Sequence, residues 1–112
     1  MTVLILRTDG RRESYDMPQA EVFDRLRGLL NAEGFDTVNL RDGRVMIVDD
    51  DGYDVEVVVG IQDGFHVEER RPMRAKKPVN VEATALYHGV CKPGTTHQIV
   101  GDVAIVADAA FA

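Results

Sequence analysis

The sequence predicts an α+β domain: an antiparallel β-sheet meander with one main amphipathic helix over about 17–33 and a second short helix over about 80–91 packed on it. Three observations carry this. A stripe of apolar residues at helical spacing follows Pro18, a run of alternating apolar segments is cut by Asp-Gly pairs, and a shorter helical spacing lies between Asn80 and Pro93-Gly94. Helices set apart from strands joined by tight turns suggest a sheet with helices packed against it.

Val3 to Arg7 is apolar and β-branched enough for a first strand, closed by the Thr8-Asp9-Gly10 turn. Pro18 suits the first turn of a helix, where its missing N–H would have no partner anyway, with Asp16 or Met17 at the cap. Val22, Phe23, Leu26, Leu29 and Leu30 then form one stripe for a sheet, and Gly34 is the expected C-cap. Val38 and Leu40 alternate with polar neighbours, Asp42-Gly43 reads as a two-residue hairpin turn, and Val45 to Val48 as the return strand. Asp51-Gly52 turns again, Tyr53 to Val59 continues the meander with Val55, Val57 and Val59 on one face, and Asp63-Gly64 leads into a short strand at Phe65 to Val67. Pro72 and Pro78 bracket Arg70 to Val79, which reads as a loop because proline restricts itself and the residue before it. Asn80 caps the second helix, whose Ala83, Leu86, Tyr87 and Val90 share a helical spacing. Ile99 to Ala107 is the last strand, with Gly101 as a bulge.

At 112 residues the chain reads as a single domain, 1–112, able to bury roughly 65% of its unfolded surface. Apolar residues make up 45% and charged ones 29%, the balance of a soluble globular protein. Tryptophan is absent, and three tyrosines with four phenylalanines are thin for a nucleic-acid stacking platform. The net charge of −6 also opposes general DNA binding, which phosphate neutralisation drives. The single cysteine, Cys91, excludes an intrachain disulfide and suits a reducing compartment. Val3-Leu4-Ile5-Leu6 is too short for a signal-peptide core, and no segment reaches the apolar length of a membrane span. The expectation is a cytoplasmic protein without membrane contact.

One stretch reverses the charge. Phe65 to Gln98 holds Arg70, Arg71, Arg74, Lys76, Lys77 and Lys92 against Glu68, Glu69 and Glu82, a net of +3, while the remainder carries −9. Such a patch is not needed for folding and is the best candidate for a contact surface, although most basic clusters are simply solvated. Arg70, Arg71 and Arg74 offer bidentate forks for phosphate or carboxylate, whereas lysines act as point charges. Each charge-assisted bond contributes about 1.5–3 kcal/mol when desolvated.

Gly89 to Thr96 comes within one residue of the phosphate-loop pattern, but Thr95 stands where the lysine is needed, and the turn follows a helix instead of opening one. Nucleoside-triphosphate hydrolysis is therefore rejected. Backbone N–H groups around Gly94, with Lys92, Thr95, Thr96 and His97, retain the makings of an anion nest, against the blander reading of a plain turn. Aligning Gly52 with an EF-hand glycine puts Ile47 and Val58 at ligand positions, so Asp49-Asp50-Asp51 reads as an acidic hairpin. His66, His88, Cys91 and His97 match no zinc spacing, and no local pattern makes Cys91 a nucleophile. No metal, cofactor or catalytic residue is expected.

The order of Gly34 to Leu40, the hairpin VMIVDDDGY, the segment PVNVEATALYH around Asn80, Ala83 and Leu86, and the final IVGDVAIV resembles a family of phages and mobile elements, domain of unknown function 3846. The basic stretch before Pro78 lies outside the resemblance. It implies a phage accessory protein and brings no catalytic residue with it.

Two functions follow as expectations. The first is a non-enzymatic protein that binds a host or phage protein through its basic loop and acidic body, in the host cytoplasm if phage-encoded. The alternative sequesters an anionic small molecule, such as a nucleotide signal of host defence. Its ligand-binding residues would be Arg70, Arg71, Arg74, Lys92, Thr95, Thr96 and His97, brought together in the fold or across a homo-oligomer interface.

Overall fold

Four apolar residues in a row, VMIV at 45–48 and VAIV at 103–106, suit strands covered on both faces, because successive side chains point to opposite sides of a sheet. The computed structural model places both strands inside a sheet. It describes residues 1–50, 53–75, 77–91 and 93–107, with backbone alone at 53–59, 62 and 68–75. The strands are β1 (Thr2–Leu6), β2 (Arg12–Asp16), β3 (Phe35–Asn39), β4 (Val45–Asp49), β5 (Tyr53–Gln62), β6 (Phe65–Ala75) and β7 (Val103–Val106), with helices α1 (Val22–Leu29) and α2 (Val81–His88). Five strands pair antiparallel in the order β2-β1-β7-β4-β3. The α+β class expected from the sequence is what the structure has.

Alternation along the strands divides the core in two. Val3, Ile5, Val45, Ile47, Ala104 and Val106 face α1 and pack with Val22, Leu26 and Leu30. Leu6, Met46, Val48, Val103 and Ile105 face the other way and pack with Ala83, Leu86 and Tyr87 of α2. The two helices thus cover opposite faces of one sheet.

Several boundaries differ from the sequence expectation. A 3-10 turn at Gln19–Glu21 precedes α1, and the helix stops at Leu29 because Asn31 takes the left-handed conformation (φ 49°), three residues ahead of Gly34. Gly34 lies instead against the Asp50 carboxylate, which a Cβ there would push aside. Strand β2, of sequence RESYD, is an addition to the expected elements; it is an edge strand with no fully buried residue. The turn after β3 has three residues, Arg41 to Gly43. Asn39 opposes Val45, and the Leu40 N–H donates to the Arg44 carbonyl, with Gly43 at φ 85°. Asp63-Gly64 is the two-residue turn expected, with φ 52° and 81°. The Asp51-Gly52 turn lies outside the described residues.

Gly101 (φ 79°) is no bulge. It separates β7 from a short bridge between Val79 and Val100. The stretch from Arg70, expected to be a loop, is strand as far as Ala75. Pro72 is accommodated because a register shift between Asp54 and Val55 interrupts the ladder beside it. Strands β5 and β6 pair with each other and with no strand of the main sheet, so the chain carries a separate two-stranded ribbon. The molecule measures 55 × 29 × 28 Å along its principal axes.

Polar groups tie the layers together at the end of β1. Arg7 donates from Nε to Glu13 Oε2 at 2.6 Å, and from Nη1 to Asp102 Oδ2 at 2.8 Å and the Leu29 carbonyl at 2.5 Å. Tyr15 donates its hydroxyl to Glu13 Oε1 at 2.6 Å. The Arg7 guanidinium, then the Tyr15 hydroxyl, hold the Glu13 carboxyl down to about 2 from its usual 4.5. A carboxyl depressed in the folded state stabilises fully above its unfolded value, and that contribution disappears as pH falls through its folded one. Glu13→Gln is therefore expected to lower the urea midpoint at neutral pH and to flatten its decline between about pH 4.5 and 2. Parallel declines for the two proteins would show that this carboxyl does not set the acid limb.

Candidate binding surface

A β-hairpin that pairs with no other strand leaves its outer edges to water or to a partner. Register sets what the ribbon presents. Arg71 lies opposite Glu56 and Arg74 opposite Asp54, while Arg70 opposes Val57, and Glu68 and Glu69 oppose Val59 and Val58. The basic residues of β6 thus alternate, across the ladder, with acidic and apolar positions of β5. Directly opposed unlike charges favour a ladder by about 0.2–1 kcal/mol per pair. At the tip, Ile61 and Phe65 flank the Asp63-Gly64 turn, each 74% exposed, and Val67 and His66 are exposed as well. None of these tip residues belongs to the site expected from the sequence. A signal for them exists: the β5 alternation of Val55, Val57 and Val59 continues to Ile61, two residues short of the turn.

The second group of expected residues follows α2 in the chain. Helix α2 ends at His88, and the chain turns through Gly94 (φ 86°) before reaching buried Ile99. Thr95 Oγ1 accepts from the His97 N–H at 3.3 Å, and His88 Nε2 lies 2.7 Å from the His97 carbonyl oxygen, a contact that needs the Nε2–H form. Tyr87 meets the His97 ring edge-on, with centroids 5.7 Å apart. Thr95 and His88 are thus engaged in holding the turn, while Thr96 is exposed. Lys92 lies outside the described residues, as do the side chains of Arg70, Arg71 and Arg74. The fold places the three arginines on the ribbon and Thr95, Thr96 and His97 on the turn after α2.

His97 also lines a groove of about 170 Å³ with Asp36, Asp49, Asp50 and Gln98. Asp49 is engaged by Lys77, whose Nζ is 2.6 Å from Asp49 Oδ2. Among the described residues, no group of three or more His, Cys, Asp and Glu side chains is placed to hold a metal ion. Cys91 is a half-buried free thiol beside the turn.

The most apolar cavity lies on another side. Its volume is about 210 Å³, and Leu40, Ala85, Leu86 and Val90 line it, with Arg41 and Arg44 as its cations. It forms where the three-residue β3–β4 turn meets the outer face of α2.

No family model, curated protein or solved structure matches this chain. Among the described residues no helix is long and apolar enough to cross a membrane.

Proposed function

We propose that this chain is a non-enzymatic binding protein that engages a protein partner through the β5–β6 ribbon. In this reading it is a phage accessory protein acting on a host or phage protein in the host cytoplasm. One observation carries it: strands of ten and eleven residues pair only with each other, and their tip leaves Ile61 and Phe65 largely in water. An isolated two-stranded hairpin is marginal in water, so a ribbon of this length gains stability when something packs on it. Phe65 and Val67 share one face of the tip and Ile61 lies on the other, so a partner that clasps the tip meets apolar side chains on both faces. The basic segment belongs to this arm, on β6, and supplies charge for orienting an encounter.

The alternative, sequestration of an anionic small molecule such as a nucleotide, finds less support. Its residues come from two segments of the chain, β6 and the turn after α2.

The ribbon reading is tested by capture from host lysate with wild type and with Ile61→Ser/Phe65→Ser. Truncating two central apolar contacts is expected to weaken a tip-bound partner at least about tenfold. If the variant holds every partner as tightly as wild type, the ribbon tip is not the contact.

A further inference from the structure

The ribbon tip and the cavity beside α2 are complementary, and we propose that the cavity of one copy receives the ribbon tip of a second copy, so that two chains join by exchanging tips. This rests on the reading of the ribbon as a contact arm and names the partner. The cavity, at about 210 Å³, falls below the roughly 300–1,000 Å³ typical of sites for drug-sized ligands. It suits a single large side chain. Its walls, Leu40, Leu86 and Val90, call for an apolar one.

Phe65 supplies that side chain. It is 74% exposed and directly follows the two-residue Asp63-Gly64 turn, so it stands at the extremity of the arm. Charge agrees with shape. Arg44 is engaged by Asp42 at 2.6 Å, whereas Arg41, exposed at the cavity, pairs with no carboxylate among the described residues. Asp63 at the tip is exposed and two positions from Phe65. A tip entering with Phe65 foremost brings this carboxylate to the uncompensated guanidinium. Tip and cavity are different surfaces of one chain, so a two-fold pair uses each surface of both copies and closes on itself.

Sedimentation velocity of the full chain, from micromolar to millimolar concentration, tests this. Wild type should pass from monomer to dimer. Phe65→Ser removes the inserted ring, and Ala85→Trp fills the cavity from an exposed helix position. Each should weaken self-association more than about tenfold while leaving the circular dichroism spectrum unchanged. Mixed together, the two variants should form a pair again, since one keeps its cavity and the other its tip. Its single contact makes that pair weaker than the wild-type dimer. A wild type that stays monomeric, variants that associate like wild type, or a mixture that fails to pair overturns the proposal. A monomeric wild type that still captures a different protein in a tip-dependent way overturns only this inference and leaves the contact arm standing. If tip-dependent capture is absent as well, both fall.

Discussion

Asn80→Asp is expected to destabilise the fold by about 3–5 kcal/mol, because it buries an uncompensated charge. The Asn80 side chain is 1% exposed and joins three segments. Its Oδ1 accepts from the Ala83 N–H at 3.0 Å, capping α2, and its Nδ2 donates to the Leu6 carbonyl at 2.9 Å and the Gly101 carbonyl at 3.0 Å. Aspartate keeps the cap, since a carboxylate accepts the same N–H. It then turns a second oxygen toward two carbonyl oxygens, where the amide had placed two hydrogens. A loss here therefore reports the two donated bonds and not the cap. Urea denaturation at neutral pH measures it, and the deficit should narrow in acid, where the protonated carboxyl can donate again. An aspartate variant within about 1 kcal/mol of wild type would mean that these donated bonds are worth no more than ordinary exposed ones.

Lys77→Met is expected to cost about 1–3 kcal/mol, the scale for removing a charged hydrogen-bond donor from partly buried acceptors. Asp49 has a side chain only 3% exposed, and Lys77 Nζ, besides reaching it, donates to the Asn31 carbonyl at 2.6 Å and the Leu30 carbonyl at 3.3 Å. The lysine thus places its charge at the C-terminal end of α1, where the helix dipole favours a cation. Methionine retains an unbranched apolar stem to lie against Gly101, so the variant isolates the ammonium from the packing. Thermal and urea unfolding read the effect. An unchanged midpoint would reduce the pair to the level of a surface salt bridge.

How much of the fold is legible in the sequence depends on how far each residue's surroundings are local. Strands β4 and β7 announce themselves, because a strand between two others and under two helices is apolar on both sides. Strand β2 hides, because an edge strand tolerates Arg12, Glu13 and Asp16, and its only strand partner is β1. The end of α1 is displaced from its expected position because Asn31, and not Gly34, takes the left-handed conformation that stops the helix. Strand β6 looks like a loop because Pro72 and five charges at 68–74 argue against a strand of the main sheet, and β6 is indeed not part of that sheet. For the proposed contact arm, charge reversal marks the base of β6, whereas the exposed Ile61 and Phe65 lie at the tip. The cavity cannot be read from sequence at all, since Arg41 and Val90 meet only through the packing of α2 on the sheet.

The place of β7 has a consequence for how the chain is made. Among the described residues it is the last strand in sequence, yet it lies between β1 and β4 and pairs with both. Until Val103–Val106 has been synthesised, the hairpins β1–β2 and β3–β4 have no bond between them, and each presents an open inner edge to the cell. Bringing β1 to β7 spans almost the whole described chain, the kind of long-range closure that slows folding. The sheet therefore cannot assemble progressively as the chain emerges. Its two hairpins are joined only once Val103–Val106 has been made, and their inner edges stay open to wrong pairing until then.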